Sequence, residues 1–330
     1  MVLLSTISLL LVATACGESN PPTAAISPRA LQLQATPSSP AVIQLTVGAR
    51  DACVLKSDFS LACWGFFGGN APRTGTYVYV SSGDDEACAV KTDASVLCWG
   101  DNTYGQLDVP TTGSFTQVAS GAAHVCAIAG DATLTCWGFD DFDLTSPPSG
   151  TFTSVDGGGE HSCAIRTDGT VACWGENNSG QTDEPSGTFV QVSGGAGNTC
   201  GVRTAGTLTC WGWNDDGQSS PPSGTFIQVS SGRLHGCGVR TDFTLACWGD
   251  NTFHQASPPP GTYLQVGSGL EHSCALNTDR RVVCWGDNFE HQLDVPADIA
   301  GPQETNTALA STPNPSAFGQ LATFTATVTA

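Results

Sequence analysis

The triplet Cys-Trp-Gly occurs seven times, opening at Cys63, Cys98, Cys136, Cys173, Cys210, Cys247 and Cys284. Successive triplets lie 35, 38, 37, 37, 37 and 37 residues apart. A second cysteine stands ten residues before each of them, at Cys53, Cys88, Cys126, Cys163, Cys200, Cys237 and Cys274. Self-similarity at a fixed period of this size means one small structural unit copied along the chain. No other feature restricts the fold as strongly.

Each copy reads as three short strands. Stretches such as GTFVQVSGG (187–195), CAIRT (163–167) and TVACWG (170–175) are rich in β-branched and aromatic residues. The last two are joined by Asp168-Gly169, a strong hairpin signal. Both faces of the strands carry apolar or small residues, which fits a sheet packed on both sides. A tip made of Thr167, Asp168 and Gly169 pairs Arg166 with Thr170 and sets Cys163 opposite Cys173. Facing residues of an antiparallel pair lie roughly 4.5–5.5 Å apart, within the roughly 4.4–6.8 Å that a disulfide accepts. We therefore read each pair as a disulfide stapling its own hairpin, a little under ~3 kcal/mol for a loop this short. Reduced buried thiols are the alternative. Zinc would want Cys-x-x-Cys spacing and fixed histidine partners, which are missing.

A repeat of about 37 residues cannot bury two sheet faces alone. Blades stacked around an axis solve the problem. The expectation is an all-β, closed seven-bladed β-propeller over residues 41–300, with an open β-solenoid as the rival.

The best copy, residues 158–181, runs Gly-x-x-His-x-Cys-Ala-Ile and then Asp-Gly-x-Val-x-Cys-Trp-Gly-x-Asn-x-x-Gly-Gln. It resembles the regulator of chromosome condensation (RCC1) repeat, and the resemblance covers about residues 41 to 296. The short, cysteine-stapled form is similar to the bacterial extracellular branch of that family. The eukaryotic namesake is a guanine-nucleotide-exchange factor. This chain lacks the insertions and basic patch of that role, which makes it the least favoured reading.

Charge narrows the partners. Thirty acidic residues against eleven lysines and arginines give a net charge of −19. Phosphate backbones reward clustered cations, so nucleic acid is not an expected partner, and the folded part should be repelled by an anionic bilayer. The odd fifteenth cysteine is Cys16, which follows the apolar run Leu9-Leu10-Leu11-Val12. Residues 1–16 read as a signal peptide with a possible lipobox, making Cys16 a candidate for lipidation. Membrane contact would then come only through that N-terminal anchor. Residues 17–40 read as a disordered tether, 301–312 as a linker and 313–330 as the truncated start of an immunoglobulin-like domain. On that reading the chain is a fragment of something longer.

Three sets of residues are candidates for chemistry. Asp51, Glu86, His124, His161, Asn198, His235 and His272 stand two places before the first cysteines. They could form a ligand ring, but their mixed identities favour hydrogen bonds to the backbone of the next blade. Lys56, Lys91, Ala129, Arg166, Arg203, Arg240 and Asn277 stand three places after those cysteines, with Asp58, Asp93, Asp131, Asp168, Ala205, Asp242 and Asp279 two places further on. These read as solvated hairpin tips rather than a basic ring. Phe66, Phe67, Phe139, Phe142, Trp213, Phe253 and Phe289 follow Cys-Trp-Gly triplets. Aromatics in several equivalent loops would make a binding face. The Asp- and Asn-rich loops lack an EF-hand ladder, and no catalytic elbow or phosphate loop is found. The expectation is a monomeric, non-enzymatic, metal- and cofactor-free scaffold at a bacterial surface, holding an unidentified surface or secreted protein. A carbohydrate-binding or carbohydrate-active protein is the alternative, with a glycan as partner.

Overall fold

The computed structural model describes residues 40–66, 71–72 and 74–300, together with the backbones of 306–312 and 323–329. Cys16, the leader and the tether lie outside the described residues, as does Phe67. Residues 39–301 form one compact unit.

That unit contains seven three-stranded antiparallel sheets, each with its strands in sequence order. In the fourth blade the strands are Phe152–Gly157, His161–Arg166 and Val171–Gly175. The first strand of every blade lies innermost, lining an axial channel. The register of the outer pair is the one the hairpin arithmetic predicts, with Cys163 facing Cys173 and Arg166 N–H donating to Thr170 O at 2.8 Å. All seven cysteine pairs are bonded, with Cα atoms 4.0–4.1 Å apart.

The hydrophobic core is divided among the blade interfaces. Cys163, Ile165 and Val171 of the fourth blade pack against Phe189, Val192 and Trp211 of the fifth. Equivalent clusters fill the other interfaces. The seventh interface closes the ring: Val42, Val54 and Trp64 of the first blade pack on Leu276, Val282 and Ile299 of the last. Leu45 N–H donates to Gln265 Oε1 across the same seam at 2.7 Å. The segment after the last blade turns back so that Val282 N–H bonds Ile299 O, placing Ile299 in the seam. The propeller is therefore closed, and the solenoid is ruled out.

Hairpin tips need a residue of positive φ. Gly169 and Gly206 supply it in two blades, whereas Phe59, Ala94, Ala132, Phe243 and Arg280 occupy it elsewhere at φ of 62–68°. The Asp-Gly signal was thus a local cue, and the sheet holds the other tips in the same shape against side-chain strain.

Beyond the propeller, strand Asn306–Thr312 pairs antiparallel with Thr323–Thr329. The whole of the first strand falls where the composition reads as a linker, over 301–312. Alternating small and polar residues in NTALAST are compatible with a strand once a partner strand supplies the hydrogen bonds.

Two stability outcomes follow from this frame. Ala132→Gly should raise the unfolding free energy by roughly 1 kcal/mol in urea titration, because glycine adopts the tip conformation without strain. Cys163→Ser combined with Cys173→Ser should lower it by about 2–3 kcal/mol, and alkylation of the denatured wild-type propeller should find no free thiol in residues 41–300.

Candidate functional site

Repetition places the same bond at six of the seven interfaces, Trp99 Nε1 being buried without an acceptor. Trp174 Nε1–H donates to Leu144 O of the preceding blade at 3.0 Å, and Trp211, Trp248 and Trp285 donate likewise to Gln181 O, Gln218 O and Gln255 O at 2.9 Å. Trp64 reaches across the seam to Gln292 O at 2.9 Å. The glutamine that ends the repeat motif is structural: Gln181 Oε1 accepts from Ser179 N–H, and Gln181 Nε2 donates to Glu176. Most loop Asp and Asn side chains are spent in the same way, as where Asn177 Nδ2 donates to Asp183 and its Oδ1 accepts from Thr182 N–H. A further set of glutamines lines the axis. Gln191 Nε2 donates to Val229 O while its Oε1 accepts Val229 N–H, both at 2.9 Å, and Gln44 and Gln228 clamp the next inner strand similarly.

The ring of residues two before each first cysteine is buried. For three of the seven the partner is the side chain one place before the next blade's cysteine, rather than the backbone that the sequence favoured. His124 Nε2 meets Ser162 Oγ at 2.7 Å, His161 meets Thr199 Oγ1 at 2.8 Å and His235 meets Ser273 Oγ at 2.8 Å. Thr199 and Ser273 donate onward to the Gln181 and Gln255 carbonyls, so His161 and His235 carry their proton on Nε2. Asp51, Glu86, Asn198 and His272 face Ala87, Val125, Gly236 and Ala52, which offer no hydroxyl. Glycine is required beside this ring. A Cβ on Gly158 would collide with the His161 ring and the Gly195 carbonyl. Among the described residues no three His, Cys, Asp or Glu side chains converge as metal ligands.

The hairpin-tip cations are not a free ring either. Arg166, Arg203 and Arg240 each lie over the aromatic that starts their blade's inner strand, with the guanidinium carbon 5.1, 4.7 and 4.9 Å from Phe152, Phe189 and Phe226. Each also donates to a carbonyl of the preceding loop, at Ser149, Ser186 and Ser223. Asp168 caps its own turn by accepting from Thr170.

The two faces of the propeller differ. The loops joining inner to middle strands meet the loops that leave the outer strands, as in Glu176 N–H to Glu160 O and Asp287 N–H to Glu271 O. On this face stand Asp84, Asp85, Asp141, Glu160, Asp215, Asp216, Glu271 and Glu290, with Arg50 and Arg233 as its cations among the described residues. Lys56, Lys91, Arg166, Arg203, Arg240, Arg280 and Arg281 belong to the opposite, hairpin-tip face. The described candidate aromatics share the acidic face. Phe66, Phe142, Phe253 and Phe289 are exposed there, Phe289 at 83%. Trp213 and Phe139 are half-buried. Tyr104, exposed and stacked edge-on against Phe139 at 4.9 Å, belongs to the group although sequence reasoning passed over it. Its signal was its place in the same loop. Phe66 lies under the Arg50 guanidinium, at 4.6 Å, and Arg50 pairs with Asp85.

The Regulator of chromosome condensation (RCC1) repeat matches residues 77–106, 152–181, 189–218, 226–255 and 264–292. The chain is an RCC1-like repeat β-propeller. The first and third blades escape the match, and there Ala71 and Leu144 replace the loop glutamine. No curated protein matches the sequence. Among solved structures, the ectodomain of the receptor kinase CR4 from Physcomitrella patens is 23% identical, with a TM-score of 0.65 over 75% of this chain and 74% of that one. The ectodomain of the receptor kinase ACR4 from Arabidopsis thaliana is 23% identical, with a TM-score of 0.64 over 76% and 99%. Prp20p from Saccharomyces cerevisiae is 15% identical, with a TM-score of 0.63 over 72% and 84%. These likenesses concern the fold.

In this RCC1-like ring the buried groups titrate far from their ordinary values. Burial lowers His124 and His235 to about 4 and His161 and His272 to about 3. Burial, then the neighbouring Asp85 carboxylate, raises Asp51 to about 8, and burial with Asp84 raises Glu86 to about 9. A histidine kept neutral contributes stability that is complete above its unfolded pKa of about 6.5 and is lost as pH falls toward its folded value. A carboxyl kept protonated contributes stability that is complete below its unfolded pKa of about 4 and is lost as pH rises through its folded value. Between about pH 6.5 and 9 only the second effect operates. The urea midpoint of the wild type should fall across that interval. Glu86→Gln should fall less and exceed the wild type at pH 9, while differing little from it at pH 4.

Proposed function

We propose that this protein is an exported binding scaffold, tethered to a bacterial cell surface through a lipid on Cys16, that presents its acidic, aromatic face to another protein. The observation that carries the reading is the exposure of Phe66, Tyr104, Phe142, Phe253 and Phe289 in equivalent loops of one face. Exposed aromatics cost solubility unless a partner covers them, and they are favoured anchors in interfaces. The seven disulfides belong to an oxidising compartment. Two of the similar structures are receptor-kinase ectodomains, which is in keeping with a place outside the cytoplasm. The frame between the loops is rigid, so the scaffold pays little ordering entropy on binding.

A carbohydrate-binding role is the second reading. It is favoured by the convergence of Phe253 and Phe289 with carboxylates in one pocket of the same face.

The test has two arms. Expressed in a bacterial host, the full chain should fractionate with membranes, and Cys16→Ser should release it as an exported soluble protein. Immobilised in oxidised form and exposed to surface and secreted fractions of the source culture, it should enrich one protein. Phe142→Ser with Phe253→Ser should cut that enrichment roughly tenfold or more, whereas Arg203→Gln on the opposite face should not. Enrichment of glycan, or of nothing, would sink the scaffold reading.

A further inference from the structure

A pocket of about 310 Å³ opens on the acidic face where the last blade meets its neighbours. Its size is at the lower end for small-ligand sites, roughly 300–1,000 Å³. Three blades build it. Phe253 comes from the sixth, Leu270, Glu271, Phe289 and Glu290 from the seventh, and Ala49 from the first. The seam is fastened beneath by Leu270 N–H donating to Ala49 O at 3.1 Å, so the walls are held by the same closure that completes the ring.

The charged groups around it are not equivalent. Asp287 is occupied: it accepts from Phe289 N–H at 3.0 Å and from Gln292 Nε2 at 2.9 Å. Arg50, the cation in the lining, is paired with Asp85 and stacked on Phe66. Glu271 and Glu290 have no ion-pair or side-chain hydrogen-bond partner among the described residues, although both are half-buried. Two unneutralised carboxylates therefore stand beside apolar walls, on the face that carries most of the chain's uncompensated negative charge. The copies elsewhere in the ring lack this combination. At the place of Leu270 they have Ala49, Asp84, Ala122, Gly159, Ala196 and Arg233.

We propose that this seam pocket receives an arginine or lysine side chain of the partner protein, with an adjoining apolar residue of the partner seated against Phe253 and Phe289. The proposal rests on the scaffold reading and names the chemistry of its partner. A guanidinium or ammonium satisfies Glu271 and Glu290, and its aliphatic stem lies along Leu270 and Ala49. An acidic partner would meet repulsion from both carboxylates and from the face as a whole.

The test uses the full oxidised chain and three fluorescein-labelled hexapeptides that differ at one central position, bearing arginine, glutamine or glutamate next to leucine. Fluorescence anisotropy should show the arginine peptide binding most tightly, and its affinity should fall between 50 and 300 mM salt, as ion pairing at a partly exposed site requires. Glu271→Gln with Glu290→Gln should weaken the arginine peptide roughly five- to tenfold and leave the glutamine peptide unchanged. Phe289→Ser should weaken both. Asp215→Asn with Asp216→Asn, on the same face but in the fifth blade's loop, should change neither.

Equal binding of all three peptides, no binding, or an unaltered arginine affinity in the glutamate variant would overturn the proposal. So would competition by a neutral oligosaccharide, tested with chitohexaose, that depends on Phe289. The two readings fail separately. If a partner protein is captured equally by the wild type and by the Glu271→Gln, Glu290→Gln variant, the pocket inference falls and the scaffold stands. If the arginine peptide binds as described but no partner is captured, the pocket stands and the scaffold reading falls.

Discussion

Every blade depends on the one beside it. A three-stranded sheet of this length has two apolar faces and no means of covering either, so the core exists only between blades. The clusters make this concrete: the disulfide and strand residues of one blade form a wall, and the tryptophan and inner-strand residues of the next fill it. The indole N–H then finds its acceptor on the preceding blade's loop, as from Trp248 to Gln218 O at 2.9 Å. A buried indole left without an acceptor would cost about 1–3 kcal/mol. Burial and hydrogen bonding thus demand the same neighbour. The first blade must meet the last, and it does so with the same contact, Trp64 to Gln292 O, across 228 residues of sequence.

That dependence separates two kinds of position. Residues repeated from blade to blade are spent on the interfaces: the cysteines, the tryptophans, the loop and axial glutamines and the glycines beside the buried ring. Several positions that change from copy to copy gather on the acidic face, although the hairpin-tip residue of positive φ varies on the other. The residue after the ring glycine is Ala49, Asp84, Ala122, Gly159, Ala196, Arg233 or Leu270. Loop aromatics likewise occur in some blades and not in others. A frame whose constant parts are buried leaves its variable loops free to be shaped for a partner. The polarity of charge follows the same division, because the hairpin-tip arginines are tied to carbonyls and aromatics while the opposite face keeps its carboxylates exposed.

The buried ring shows how far a repeat tolerates deviation. Where histidine faces a hydroxyl, as His161 faces Thr199, the pair is satisfied. Where Glu86 faces Val125, burial and a neighbouring carboxylate keep the acid protonated instead. At His124, His161 and His235 the identity of the ring residue matches a hydroxyl opposite, one blade away, whereas His272 faces Ala52. That match was present in the sequence, yet only a register across the interface makes it visible.

Period, hairpin register and the pairing of cysteines were all legible in the sequence, because each is a local consequence of strand geometry. Cys163 faces Cys173 as a matter of counting from a turn. The number of blades was legible for the same reason. What lay beyond the sequence were the relations between copies: which side chain across an interface meets His124, that Arg166 covers Phe152 instead of forming a charged ring, and that Phe253, Phe289, Glu271 and Ala49 meet around one pocket. Those residues come from three blades and from both ends of the propeller. Closure of the ring brings them together, and closure is a property of seven interfaces packed at once rather than of any one repeat.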